Sequence, residues 1–147
     1  MISVKVVANK ITLVESELPY FNDDELLVRM HSCGICGSDL EKVYGNYGMK
    51  SLRVGHEPAG HVIKVGINIK KFQEGDRVFV HHHVSCYSCR YCLQGNYTMC
   101  TNYQNSNIEP CGLSEQFIVP KWNIEHGGVL KLPESVSYDE AALIEPF

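Results

Sequence analysis

Short apolar or alternating runs recur along the chain, at Val4–Ala8, Leu26–Met30, His61–Val65, Arg77–Val80 and Gln116–Val119. They are rich in Val and Ile and broken by Gly, Pro, Asn and Asp, a pattern that predicts a mainly β domain, barrel or sandwich. Gly75-Asp76 marks a turn directly before one of these strands. Two short helices are predicted. One starts at Ser38 or Asp39 and runs toward Tyr44; the other starts at Ser137, where Ser137-Tyr138-Asp139-Glu140 has capping-box form before Ala141-Ala142-Leu143. Tyr87 to Glu109 is rich in Cys, Asn and Tyr without periodicity, so an irregular lobe organised by something other than an apolar core is expected there. No internal repeat or low-complexity tract interrupts the 147 residues, which suit one domain.

Charge removes some function classes. Thirteen Lys and Arg against seventeen Asp and Glu give a net charge of −4, with no basic run interleaved with aromatics, so nucleic acid is not an expected partner. The apolar stretches are strand-length, so no membrane span is expected. Met1 to Lys10 lacks the apolar core and small-residue cleavage site of a signal peptide, which points to the cytoplasm. Seven cysteines are many for that reducing compartment, where disulfides are rare and dense Cys usually means metal or chemistry.

Four of the seven fall in Cys86-x2-Cys89-x2-Cys92-x7-Cys100. Two-residue gaps let one loop supply several corners of a zinc tetrahedron, and four sulfurs close the shell, the mark of a structural site. An iron–sulfur cluster is the rival, since Cys-x2-Cys-x2-Cys also opens the ferredoxin pattern, but that pattern continues with a three-residue gap and Cys-Pro. Here seven residues intervene and Thr101 follows Cys100. Four free buried cysteines remain the plain alternative.

A second, open centre could be built from Cys36 in a glycine-bracketed turn, His56 before a Val-rich strand, and Glu145 before Pro146. One sulfur, one nitrogen and one oxygen leave a fourth position for water or substrate, as in catalytic zinc sites. Taken singly, each of these residues is more ordinarily structural or solvated.

The stretch Gly55-His56-Glu57-Pro58-Ala59-Gly60-His61-Val62-Ile63-Lys64-Val65-Gly66-Ile67-Asn68-Ile69 resembles the signature of zinc-dependent medium-chain alcohol and polyol dehydrogenases. Around it, in that family's order, stand Gly34-Ile35-Cys36-Gly37-Ser38-Asp39, Gly75-Asp76-Arg77-Val78, the cysteine lobe, Ser114-Glu115-Gln116-Phe117 and Leu130-Lys131-Leu132-Pro133. The resemblance covers almost the whole chain. It implies a GroES-like β-barrel with a few short helices over residues 1–147, a structural-zinc lobe at about residues 84–112, and a Rossmann cofactor domain in a complete enzyme. It implies Cys36, His56 and Glu145 as ligands of a catalytic zinc, and Cys86, Cys89, Cys92 and Cys100 as ligands of a structural one. Glu57 is implied as a neighbouring carboxylate able to enter the zinc shell, Ser38 as the hydroxyl at the substrate oxygen, and Asp39 as the carboxylate that orients the zinc-bound imidazole. The implied reaction is oxidation of a small alcohol, polyol or sugar: zinc lowers the hydroxyl pKa, Ser38 passes the proton outward, and the alkoxide carbon gives hydride to NAD or NADP.

The sequence departs from that pattern in two ways. No Gly-x-Gly-x-x-Gly after a strand occurs, so the chain is expected to be a fragment without turnover of its own, and homo-oligomers are expected only of the complete enzyme. Glu41 stands five residues after Cys36, where the liver and sorbitol branches often carry histidine; it is either a hint of a polyol or sugar substrate or a solvated surface residue. Cys33 is expected to be a small buried residue rather than half of a redox pair, Cys111 a bland thiol and Trp122 a packing residue. His81-His82-His83, at a strand end, could line the substrate cleft or bind adventitious metal. The competing function is a stand-alone, zinc-stabilised binding barrel, which would have no use for an open Cys36–His56–Glu145 centre. Zinc-dependent nucleic-acid binding fits poorly with the acidic charge.

Overall fold

A computed structural model describes residues 1–45 and 53–146. Strands dominate, in two antiparallel sheets. Strands β1 (Ile2–Val7) and β2 (Lys10–Glu15) make a hairpin in which Val7 faces Lys10. The two residues between them, Ala8 and Asn9, have φ of 48° and 59°, the left-handed pair that matches the twist of a tight hairpin. The alternation predicts the first strand at Val4–Ala8; it starts earlier and stops at Val7 because Ala8 is spent on the turn.

The larger sheet has the order β6-β3-β4-β5-β7, from β3 (Leu26–Gly34), β4 (Glu57–Val65), β5 (Arg77–Val80), β6 (Gln116–Val119) and β7 (Val129–Lys131). Alternate residues of β3 (Leu26, Val28), β5 (Val78, Val80) and β6 (Phe117, Val119), with Val62 of β4 and Val129 of β7, enter one core, joined by Ile108 and Ile124. All five strands feed a single core only if the sheet coils strongly on itself, as a GroES-like barrel does. The pairing of β3 with β4 shifts register between Leu27 and Val28 and again between Met30 and Ser32. Near the second shift a Cβ on Gly60 would lie 2.0 Å from the Arg29 carbonyl oxygen, so only glycine lets the two backbones approach there.

Both long strands outrun the apolar runs that predict them: β3 continues four residues past Met30, and β4 starts at Glu57 rather than His61. Helix α1 (Gly37–Tyr44) follows β3, and the Asp39 carboxylate at its third position accepts the Cys36 N–H at 3.2 Å. The lobe carries α2 (Arg90–Leu93), a 3-10 turn at Tyr97–Met99 and α3 (Thr101–Asn105), more regular than expected. A short α4 (Lys121–Glu125) precedes β7. Helix α5 (Tyr138–Ala141) opens on the expected capping box: Glu140 N–H donates to Ser137 Oγ at 3.2 Å and Ser137 N–H to Glu140 Oε2 at 2.8 Å. Among the described residues no helix is long and apolar enough to cross a membrane.

Candidate metal centres

In the lobe, tight turns bring Cys86, Cys89, Cys92 and Cys100 together with all four sulfurs free. Their separations are 3.9 Å (Cys86–Cys92), 3.6 Å (Cys89–Cys92) and 3.6 Å (Cys86–Cys100). Four 2.3 Å bonds in a zinc tetrahedron set sulfurs about 3.8 Å apart, so the spacing suits one ion and is far too wide for disulfides. Backbone N–H groups point at the sulfurs, Cys89 to Cys86 at 3.3 Å and Cys86 to Cys100 at 3.5 Å. N–H donation from Ser88, with the Ser88 hydroxyl and Cys89 N–H, holds the Cys86 thiol down at about 6. Cys100 is lowered too, chiefly by the Cys86 N–H, whereas burial raises Cys92 to about 11. The lobe therefore favours some of the thiolates a metal requires and leaves Cys92 to be deprotonated on binding.

The second cluster forms where the end of β3, the start of α1 and the start of β4 meet. Cys36, His56 and Glu57 bring donor atoms within 4.8 Å of one another, with His56 Nε2 3.8 Å from Glu57 Oε1. Three local features put them there. Gly55, at φ +77°, turns the chain so that its N–H bonds Asp39 Oδ1 at 3.0 Å and its carbonyl accepts from Gly112 N at 2.8 Å. A Cβ at Gly55 would sit 2.5 Å from Leu113 Cγ, so position and conformation both require glycine. Across the strand pair, a Cβ on Gly34 would lie 1.8 Å from Glu57 Oε2; the missing side chain is the room the buried Glu57 carboxylate occupies.

Asp39, buried, faces His56 Nδ1 at 3.4 Å and leaves Nε2 toward Cys36 and Glu57. The Asp39 contact, against the opposing effect of burial, lifts His56 to about 9. Burial alone would raise Asp39; the His56 ring and the N–H groups of Gly55 and Cys36 outweigh it and hold the carboxyl well below its usual range. The Ser38 N–H and hydroxyl lower the Cys36 thiol, and burial chiefly raises Glu57. A sulfur, an imidazole nitrogen and a carboxylate, with an oriented partner behind the imidazole, are the donor set of an open zinc site. Zinc fits these residues.

The site opens on a cleft of about 420 Å³ whose walls include Ser38, Lys42, His82, Gln104, Asn107 and Glu145. The expected ligands fall into two donor groups around it. Glu145 faces this cleft, but its carboxylate groups with His81 and His82, 3.9 Å from His81 Nδ1, while Glu57 completes the Cys36–His56 cluster. Strand β4 fixes Glu57 next to His56, whereas Glu145, on the turn after α5, lines the same cleft as His56, near enough for its charge to act on the His56 ring. Burial holds His81 and His82 below the ordinary imidazole value, His82 at about 2, and the His82 ring stands 4.9 Å from that of His56. The histidine run is visible in the sequence; which rings turn toward the cleft is not. Glu41 is half-buried and is not among the residues lining the cleft. Cys33 is pushed up to about 12 by burial and Cys111 is raised likewise, as bland thiols would be. Trp122 packs on His126 at 3.7 Å and donates its indole N–H to the Val84 carbonyl.

Residues 22–134 match the alcohol dehydrogenase GroES-like domain. Sorbitol dehydrogenase of Bacillus subtilis is 40% identical over 136 residues, covering 88% of this chain and 37% of that protein. An uncharacterised zinc-type alcohol dehydrogenase-like protein of Escherichia coli, YdjJ, is 31% identical over 95% of this chain and 42% of its own length. Among solved structures, galactitol-1-phosphate dehydrogenase of Escherichia coli superposes with a TM-score of 0.79 at 28% identity, over 99% of this chain and 42% of the other. The chain thus spans about two fifths of the length of these relatives.

Proposed function

The chain belongs to the family of alcohol dehydrogenase GroES-like domains, and from that premise we propose that it is the zinc-holding, substrate-side domain of an oxidoreductase acting on the CH–OH group of a small polyol. One observation carries this: Cys36, His56 and Glu57 converge beside Ser38 at the wall of a polar cleft, with Asp39 behind the imidazole. Hydroxyl, amide, imidazole and carboxylate groups around the cleft suit a polyhydroxylated substrate better than a plain aliphatic alcohol. Sorbitol and galactitol phosphate in the relatives' names point the same way. Seven unpaired cysteines suit a reducing compartment, the cytoplasm.

Cys36, His56 and Glu57 would hold the catalytic zinc, and Cys86, Cys89, Cys92 and Cys100 a structural one. When bound at the open centre, zinc supplies Lewis acidity, which makes a hydroxyl far easier to ionise. The chain's own residues supply the orientation and the proton path on this side of the reaction. Asp39 fixes the ring and tautomer of His56 so that Nε2 faces the centre. Ser38 stands at the cleft wall beside Cys36, placed to take the hydroxyl proton and pass it to water. Glu57, buried and raised by that burial, supplies negative charge that moderates the ion's. The sequence holds no glycine-rich strand–helix cradle for the phosphates of a dinucleotide. NAD or NADP would bind a separate Rossmann domain, and this domain alone would show no turnover.

The test is zinc-dependent substrate binding. Amide resonances of Ser38, Gly55 and His56 are followed by NMR as sorbitol is added to zinc-loaded and to open-site-depleted protein. Saturable shifts in the loaded protein alone are expected. Equal shifts in both forms, or shifts confined to another face, would overturn the proposal.

A further inference from the structure

Apart from the two clusters already assigned, one other group of donors converges among the described residues: His81, His82 and Glu145, with ligand atoms within 4.8 Å of one another. We propose that these three residues form a second divalent-metal site in the cleft, built only from nitrogen and oxygen and separate from the Cys36–His56–Glu57 centre.

The backbone prepares it. Strand β5 ends at Val80, and the chain bends at His82, so the alternation that would send neighbouring side chains to opposite faces is broken. Asn123, fully buried, donates from Nδ2 to the carbonyls of both His81 (2.9 Å) and His82 (2.8 Å), and His81 N–H bonds the Gly128 carbonyl at 2.8 Å. His83 is tied off separately, its Nδ1 2.7 Å from the Ser106 carbonyl. The His81 and His82 rings stand at 90° with centroids 5.6 Å apart. Nδ1 of each is buried and lacks a hydrogen-bond partner among the described residues. Buried ring nitrogens are normally satisfied, and a metal ion is one way to satisfy them.

The donor spacing suits an ion. Bonds of 2.0–2.2 Å from nitrogen and oxygen to a tetrahedral zinc place donors roughly 3.4 Å apart, and His81 Nδ1 and Glu145 Oε1 are 3.9 Å apart. Two imidazoles and a carboxylate favour zinc, cobalt, nickel or copper over magnesium or calcium. Charge permits two ions side by side: Cys36, Glu57 and Glu145 bring acidic groups to the two donor clusters, Asp39 stands behind His56, and the cleft's Lys42 and Arg53 are paired to Asp39 at 3.4 Å and to Glu109. Two metal ions a short way apart would grip neighbouring hydroxyls of one polyol, an arrangement that rests on the function proposed above; the metal site itself does not.

Zinc bound per chain is measured by equilibrium dialysis and elemental analysis for wild type, H81Q/H82Q and C36S/H56Q. Circular dichroism and retention of the lobe zinc certify folding. Three ions are expected in wild type and two in each double variant. Cobalt added to wild type that keeps its lobe zinc should then fill two positions while producing the thiolate-to-cobalt absorption of only one. Loss of an ion from H81Q/H82Q with none lost from C36S/H56Q would uphold this site and sink the Cys36–His56–Glu57 centre. H81Q/H82Q binding as many ions as wild type, or a cleft that holds a single ion lost in C36S/H56Q, would overturn the proposal.

Discussion

Asp39→Asn removes one charge and almost no volume, so it isolates what the carboxylate does. In the structure Oδ1 accepts the Gly55 N–H at 3.0 Å and faces His56 Nδ1 at 3.4 Å, while Oδ2 accepts the Cys36 N–H at 3.2 Å. An amide has one acceptor oxygen. If it stays on the Gly55 side, the NH2 meets the Cys36 N–H, donor against donor. One hydrogen bond to a charged acceptor is lost and another becomes neutral, a cost of about 2–4 kcal/mol at this buried position. At about 3–4 °C per kcal/mol for a chain of this size, Tm should fall by roughly 6–16 °C. Zinc affinity at the open centre should fall about 10–100-fold through the lost orientation of His56. The pH dependence has a definite sign. The depressed Asp39 contributes stability above its unfolded value, near 3.9, and loses it as pH falls through the folded one. His56, raised to about 9, contributes fully below about 6.5 and loses that contribution as pH rises through 9. The gap between wild type and variant, measured by urea unfolding with the open centre emptied, should be widest near pH 5–6 and narrower at pH 10. A gap under ~0.5 kcal/mol at pH 6, or one that does not change with pH, would refute the reasoning.

Other perturbations read different parts of the fold. Asn123→Ala should cost about 2–4 kcal/mol in chemical denaturation, because two buried carbonyls, of His81 and His82, lose their donor; a loss below ~1 kcal/mol would mean water replaces the amide. Gly60→Ala should prevent stable folding or cost more than about 3 kcal/mol, since its Cβ would lie 2.0 Å from the Arg29 carbonyl. Gly75→Ala, in open space at φ +88°, should cost only about 1–2 kcal/mol, and equal thermal shifts for the two would contradict the close-approach argument. With the open centre emptied and the lobe zinc in place, iodoacetamide at pH 8 should label Cys36 and spare Cys33 and Cys111, whose burial holds them protonated. Mass spectrometry showing Cys33 labelled as fast as Cys36 would count against that.

Local signals are the most legible part of the sequence. The lobe's ligands lie within fifteen residues and its short gaps act on one loop, so spacing alone speaks for a closed tetrahedron. Helix α5 is marked by its capping box for the same reason. Cys36 and His56 are twenty positions apart in the chain, and their pairing comes from a family resemblance rather than from periodicity. The extensions of β3 and β4 are hidden because Ser32 to Gly34 and Glu57 to Gly60 look like breakers; they are strand only because each pairs with the other. Strand β2 is absent from the predicted elements although Ile11 and Leu13 alternate, because it pairs at the surface and leaves both side chains exposed. The choice between Glu57 and Glu145 lies beyond pattern altogether. It depends on where α5 docks and so where the turn after it begins: Tyr138 stacks on His31 of β3 at 4.2 Å, a contact that no local spacing encodes.

An anomalous difference map at the zinc edge, from crystals of the zinc-loaded chain, bears on the open centre most directly. A peak bonded to Cys36 Sγ at about 2.3 Å and to His56 Nε2 at about 2.0–2.1 Å, with Glu57 within reach and one position facing the cleft, is the expected result. Density for zinc in the four-cysteine lobe alone, with Cys36 and His56 turned apart, would contradict it.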